Sequence, residues 1–411
     1  MLKYLTYIFL STWPIFQLIK LFSLDKNQFV VDALKLFSML ILCVALVTMF
    51  VRKKKFTTIG PFLIWFVFFA YLLLNVFCTG DVLTMVRVCA DQYNISIMPL
   101  ILYFVIGNFG AHFNRKILVF SVIASGVIIG GIGIAESIAG HNLIGEVNYE
   151  GAHVQSVYRA NGPFLEGIGY STTVLLYIPF IYYFLKEKLI SKAMFFVLFC
   201  IFSAGVLVTL SRASMISYLI VVIILFSGNN LKSIFISTYL SLTLAIGIYI
   251  MWHNISSSTI FTKRITPIGN VVGRWNQYKE CLEIFAANPL MGIGYNVYKK
   301  THYYFIHNSY LKDLVELGIF GFVFHMTFIF SIVLSHFKKV FLNSGPHSVK
   351  VRLSFVIIIL IVANTINLLG SQYFTLPLFI MVALLNLNPE GKGSKKQQSP
   401  ADSTRAQFSL K

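Results

Sequence analysis

Long apolar runs separated by short polar loops dominate this chain, and their length sets the first expectation. A membrane-spanning helix needs about 20 mostly apolar residues. Twelve stretches approach or meet that length: 4–23, 29–50, 59–78, 83–109, 117–138, 166–185, 193–210, 212–227, 232–252, 309–335, 351–370 and 372–388. The pattern predicts an all-α polytopic membrane fold of about twelve transmembrane helices. The short seventh and eighth runs, and the last two, read as tight helical hairpins. Residues 1–388 form one membrane domain without a convincing internal repeat. Two longer polar segments interrupt it, 139–165 and 253–308, the second between helices nine and ten. The tail at 389–411 (Pro-Glu-Gly-Lys-Gly-Ser-Lys-Lys and onward) is polar and low in complexity, and is expected to be a disordered cytoplasmic tail.

Composition agrees with the pattern. Of 411 residues, 57% are hydrophobic and only 12% charged, which excludes an ordinary soluble domain. Lys plus Arg number 33 against 15 Asp plus Glu, a formal net charge of +18. Their positions argue against nucleic acid as the partner. Arg52 to Lys55, Arg115 and Lys116, Lys186, Lys188 and Lys192, Lys232, Lys338 and Lys339, and Lys350 and Arg352 fall in alternate short loops, and the tail adds Lys392, Lys395, Lys396, Arg405 and Lys411. This is the positive-inside bias of membrane proteins. It places those loops and both termini in the cytoplasm, which an even number of spans allows. No cleavable signal peptide is evident at the first span. Five scattered cysteines (Cys43, Cys78, Cys89, Cys200, Cys281) form neither a disulfide framework nor a metal spacing.

Segments 139–165 and 253–308 then lie on the external side. Within the second, Trp275, Tyr278, Leu282 and Phe285 recur at spacings of three and four, predicting an amphipathic helix with those four on one face. Such a helix can rest on the membrane surface or cap the bundle. Asn288-Pro289 ends it, and Gly292-Ile-Gly294 supplies a turn.

Three arginines break the positive-inside bias on that external side: Arg159, Arg212 and Arg274. Anion binding is the simplest reason. Arg212, in Ser211-Arg-Ala-Ser214, stands at the start of a predicted helix, where unpaired N–H groups favour a phosphate, and guanidinium adds a bidentate fork. A snorkelling anchor is the plain alternative for any one of them. Lys263 and Arg264 are weaker candidates in the same segment. His307 precedes Asn308 and Ser309, which can themselves cap the next helix, so His307 is not needed as a cap. The positive end of that helix and the nearby arginines disfavour a protonated imidazole, predicting the neutral state that a general base requires. Glu136 and Glu166 near the external surface are possible helpers. Arg87 and Asp91, four apart, read as an intramembrane ion pair. Gly318 and Gly321 read as helix-packing positions. There is no HExxH, no external Asp-x-Asp and no P-loop, so the sequence points to no metal and no cofactor, and to an activated lipid-linked phosphate substrate.

These residues resemble a known family, the O-antigen ligases and O-antigen polymerases of bacterial envelopes. The resemblance covers roughly residues 155–335. It rests on Arg212 in Ser-Arg-Ala-Ser, Gly273-Arg274, Asn288-Pro-Leu-Met-Gly-Ile-Gly294, and His307-Asn308 followed by nine residues and Gly318-x-x-Gly321. It implies metal-independent, inverting glycosyl transfer on the periplasmic face of the bacterial inner membrane. The donor would be a polysaccharide on undecaprenyl diphosphate and the acceptor lipid A-core, in lipopolysaccharide biosynthesis. Carried over by position, His307 would be catalytic, Arg212, Arg274 and Arg159 would bind the diphosphate, and Asn308 would support the site. Two departures stand out. Ile216 replaces the leucine of the family's Arg-x-x-x-Leu, and the main external segment is short. A polymerase of O-antigen or exopolysaccharide, extending its own lipid-linked glycan, is therefore the runner-up. A polysaccharide flippase is the reading from another class, for which internal repeats and broken midplane helices would be expected.

Overall fold

The computed structural model describes residues 2–22, 60–79, 82–109, 112–141, 143, 160–164, 167–209, 211–227, 268–302, 306, 308–334, 346–364 and 372–387, with scattered positions between 37 and 48. The described residues form helices and connecting turns. In chain order they are α1 (Leu2–Phe22), α2 (Gly60–Thr79), α3 (Val82–Gln92), α4 (Met98–Phe109), α5 (Arg115–Ala139), α6 (Gly167–Lys186), α7 (Lys192–Leu207), α8 (Arg212–Phe226), α9 (Ile268–Ala287), α10 (Val297–His302), α11 (Ser309–Val333), α12 (Pro346–Val362) and α13 (Gln372–Asn386). Their bounds follow the apolar runs closely. Five described segments are long and apolar enough to cross a membrane: Gly60–Thr79, Val88–Phe109, Arg115–Ala139, Gly167–Lys186 and Ser309–Val333. This chain is a membrane protein. Predicted span 232–252, most of 29–50, the tail, most of segment 139–165, and residues 253–267 of the second external segment lie outside the described residues.

Local chemistry explains the helix ends. Asn114 caps α5 by accepting from the N–H groups of Lys116 and Ile117, and Ser191 caps α7 by accepting from Met194. Such caps satisfy N–H groups that the helix itself leaves free. Helices α3 and α4 are joined by one π-helical turn, Tyr93–Ile97, and Thr375 at the start of α13 donates its hydroxyl to the carbonyl of Ile95 at 2.7 Å.

Cross-bundle contacts define two ends. At one, Arg115 pairs with Glu187 at 3.4 Å, Tyr182 meets His347 edge to face, and the Lys350 ammonium donates to the carbonyl of Ser227. Buried Arg352 donates to the carbonyl of Val333 at 2.9 Å and to Asn386 at 2.5 Å, tying α11, α12 and α13 together. The described members of the predicted basic loops, at 115–116, 186–192 and 350–352, thus share this end. At the other end, buried Glu136 accepts from the backbone N–H groups of Asn161 and Gly162 at 3.1 and 2.8 Å. Between the ends, aromatic and aliphatic side chains of α4, α6 and α13 are almost wholly buried and form the middle of one core.

Candidate functional site

The polar structure concentrates at the end opposite the basic loops. Ser211 caps α8, and its side chain accepts from the N–H of Ser214. Beneath this cap, the Ser214 hydroxyl donates to Ser211 at 3.0 Å and pairs with Ser171 of α6 at 2.6 Å. Arg212, the first residue of α8, is exposed above this buried hydroxyl cluster. Asn308 caps α11 by accepting from Tyr310 and Leu311, and its amide donates to Asn364 at 3.2 Å. Ser309 donates its N–H to the carbonyl of Ala363 at 2.8 Å. Tyr278 of α9, one turn beyond exposed Arg274, donates to the Asn364 carbonyl at 3.4 Å. Asn364 is therefore a hub between the cap of α11 and the helix that carries Arg274.

Arg212 reaches the same level by geometry. Helices α8 and α12 pack antiparallel, pinned at the basic end by Lys350 and Ser227. Arg212 lies fifteen residues back from Ser227, and Asn364 lies fourteen on from Lys350. At ~1.5 Å per residue they rise ~22 and ~21 Å. The described candidates Arg212, Arg274 and Asn308 are thus collected at one end of the bundle. His307, Arg159, Glu166, Lys263 and Arg264 lie outside the described residues, as does the side chain of Arg87. Glu136 holds the turn that directly follows Arg159.

One sequence expectation is corrected here. Gly318 is not only a packing position. Its φ of 66° and ψ of −171° interrupt α11, in a region of backbone space that is essentially reserved for glycine. The four backbone groups freed around the break are met by the turn after α9. The N–H groups of Ile293 and Gly294 donate to the carbonyls of Val315 and Glu316, each at 2.9 Å. The N–H groups of Ile319 and Phe320 donate to the carbonyls of Pro289 and Leu290, at 2.9 and 3.5 Å. Tyr71 donates to the Leu317 carbonyl at 2.5 Å, and Asn75 donates to the Met291 carbonyl at 2.6 Å and accepts from the Tyr295 N–H at 3.1 Å. An interrupted helix persists in apolar surroundings only when its freed groups find such partners. The Asn-Pro-Leu-Met-Gly-Ile-Gly segment is that partner, which gives a physical reason for the two motifs to occur together.

Helix α9 packs against the bundle through one side. Its buried positions are Gln277 and Cys281, with Ile284 and Phe285 partly buried beside Tyr298, Ile306 and Val315. Trp275 and Leu282 from the expected apolar face are 60% and 51% exposed. The helix caps the bundle with one side and leaves two large apolar side chains open. Burial pushes the Cys281 thiol up to about 11, against a hydrogen bond from Tyr298 that lowers it.

The sequence reading passed over several ionisable groups near the break. Tyr295 donates to Asp91 at 3.3 Å, and burial followed by the Asp91 charge raises its phenol well above the usual range. Asp91 thus meets a tyrosine of the external turn. Lys312 lies 3.9 Å from buried Glu316 and 5.7 Å from the Tyr295 ring centre. Asp313 and His325 are hydrogen-bonded at 2.7 Å. Charged residues within an apolar run were the available signal. Among the described residues no three His, Cys, Asp or Glu side chains are grouped to hold a metal ion.

Residues 195–326 match the family model described as O-antigen ligase. This is the family that the motifs resemble, and the match contains Arg212, Arg274, His307, Asn308 and the Gly318 break. No match was found among curated proteins. The family match supports ligase- or polymerase-type glycan chemistry for this membrane protein in general terms.

Proposed function

We propose that this chain is an O-antigen ligase-type glycosyltransferase. It moves a polysaccharide from undecaprenyl diphosphate to lipid A-core at the periplasmic face of the bacterial inner membrane, with both termini cytoplasmic. The family match carries the reading, and the gathering of Arg212, Arg274 and Asn308 at one end of the bundle supports it. Arg212 and Arg274, with Arg159, hold the diphosphate. Their charge lowers the cost of developing negative charge on the leaving group. His307 accepts the proton of the acceptor hydroxyl as that oxygen bonds to the anomeric carbon. The carbon–oxygen bond to the diphosphate breaks on the opposite face, inverting the centre without a metal or cofactor. Asn308, the next residue, supports the site by fixing the start of α11 through its cap and its bond to Asn364.

A polymerase that extends its lipid-linked glycan is the second reading, favoured by the short 253–308 segment. The broken helix α11 bears on the flippase reading. A transport site built on a broken helix leaves freed backbone groups for the cargo. Here the chain's own 289–294 turn takes them, which favours an enzyme. Purified protein in proteoliposomes, given undecaprenyl-diphosphate glycan with and without lipid A-core, tests the reading. Glycan on lipid A-core only when both substrates are present supports a ligase. A lengthening ladder on the undecaprenyl carrier alone makes it a polymerase, and no product in either arm removes both.

A further inference from the structure

The break at Gly318 separates two half-helices that the 289–294 turn bridges at the break itself. One ionisable pair spans it. Asp313 lies in the half that begins at Asn308, and His325 in the half that continues to Val333. Their Oδ2 and Nδ1 atoms are 2.7 Å apart. Residues twelve apart in an uninterrupted helix are separated by ~18 Å along the axis, so this contact exists only when α11 is sharply bent. Both side chains are buried, at 8% and 7% exposure. The His325 ring stacks on Phe68 of α2, with centres 4.7 Å apart and planes within 5°. Tyr310 and Phe322, also twelve apart, touch ring to ring across the same bend.

We propose that Asp313 and His325 are positioning residues for glycosyl transfer: their hydrogen bond latches the bend of α11 and so sets where the Asn308 cap, the residue after His307, stands against the arginines. The proposal rests on the glycosyltransferase reading. The latch lies deep in the helix and acts through geometry alone. His325 is anchored to α2 by stacking, Asp313 sits five residues from the Asn308 cap, and the 289–294 turn that links back to the Arg274 helix is threaded through the break. Opening the latch would loosen the turn and the cap together. A displacement of about 1 Å at a reacting group can cost ~100-fold in rate.

The test uses two substitutions at His325. His325→Phe keeps a ring to stack on Phe68 and removes the donor, whereas His325→Asn keeps a donor near the Nδ1 position and removes the ring. Hydrogen–deuterium exchange on the full-length protein in nanodiscs reads the amides of Ile293, Gly294 and Ile319, and transfer kinetics read kcat and donor KM. His325→Phe is expected to speed exchange at those amides and to lower kcat ~10- to 100-fold with donor KM within about twofold. His325→Asn is expected to restore both. Unchanged exchange in His325→Phe would overturn the latch, and so would a His325→Asn variant no better than His325→Phe. A wild-type protein without transfer activity would instead overturn the glycosyltransferase reading, with the exchange data still deciding whether the pair holds the bend.

Discussion

Replacing Gly318 with alanine tests whether the broken helix is as tightly fitted as its geometry says. A Cβ at this position would stand 2.3 Å from the Leu290 carbonyl oxygen, 2.4 Å from its carbon and 2.6 Å from the Met291 nitrogen. These are backbone atoms of the inserted turn and cannot swing aside as a flexible side chain would. The backbone conformation alone costs an alanine about 1–3 kcal/mol. If the turn retreats, the bonds from Ile319 and Phe320 to Pro289 and Leu290 are lost, at about 0.5–1.5 kcal/mol each, or more if the groups stay dry. Together the loss is roughly 2–6 kcal/mol. Gly131 is the control, since a Cβ there meets nothing within 4 Å and the residue sits in mid-helix. Alanine at Gly131 is expected to be neutral or to stabilise by up to about 1 kcal/mol. Thermal unfolding in detergent micelles, read by a thiol-independent dye or by scattering, compares the two variants with wild type. A Gly318→Ala midpoint equal to that of wild type would refute the fit of turn to break.

Other outcomes follow from the candidate site and its supports. Arg212→Ala and Arg274→Ala are expected to abolish transfer while leaving folded yield unchanged, because both side chains are exposed; gel analysis of products and size-exclusion profiles check the two halves of this claim. His307→Ala should cost ~10²- to 10⁴-fold in kcat if the imidazole is the base, and full retained activity would remove it from that role. Glu136→Ala leaves the N–H groups of Asn161 and Gly162 without their acceptor, an expected loss of about 2–6 kcal/mol for the two buried donors, with lowered transfer through the neighbouring Arg159 segment; an active, equally stable Glu136→Ala variant would contradict this. Maleimide at pH 8 is expected to modify buried Cys281, whose thiol is pushed up to about 11, far more slowly in the folded protein than after unfolding in denaturant. Sign and window agree: a raised thiol pKa keeps Cys281 protonated in the folded state, and its contribution to stability is lost only as pH rises from about 9 to about 11. Mass spectrometry of peptides from timed labelling reads both rates.

Much of the helical frame was legible because run length and caps are local signals. Asn308 and Ser211 were placed correctly at helix starts since a short polar residue before an apolar run satisfies free N–H groups. Alternation of basic loops anticipated which ends of the described helices lie together. The break at Gly318 was not legible for a reason of range. Its freed carbonyls are satisfied by residues some twenty-two positions earlier, and the turn by Asn75, over two hundred positions earlier. A glycine in an apolar run looks the same whether it allows close packing or a bend. Periodicity in α9 reports which residues share a side, not which side meets the bundle: Cys281 and Gln277, small or polar, take the buried place and Trp275 stays open. That Arg212, Arg274 and Asn308 share one side follows from the alternation of basic loops, whereas the link that Asn364 makes between the α11 cap and Tyr278 of α9 does not, since Asn364 bears no mark of its own.

The interrupted helix also has a consequence for how this protein enters its membrane. Segment Ser309–Val333 carries Lys312, Asp313, Glu316 and His325. Charged groups oppose insertion of a lone segment, by about 2.5–3.5 kcal/mol each at a helix centre and by less toward its ends. A nascent chain delivering this segment to the translocon would therefore stall at the lipid boundary unless its partners were already in place. The partners of the break itself are upstream: Tyr71, Asn75 and Phe68 in α2 wait to receive Leu317, the turn and His325, and residues 289–294 emerge just ahead of the span they complete. Synthesis order thus supplies the receptor before the guest, and a chain shortened from its beginning through α2 would leave its most important helix without a place to go.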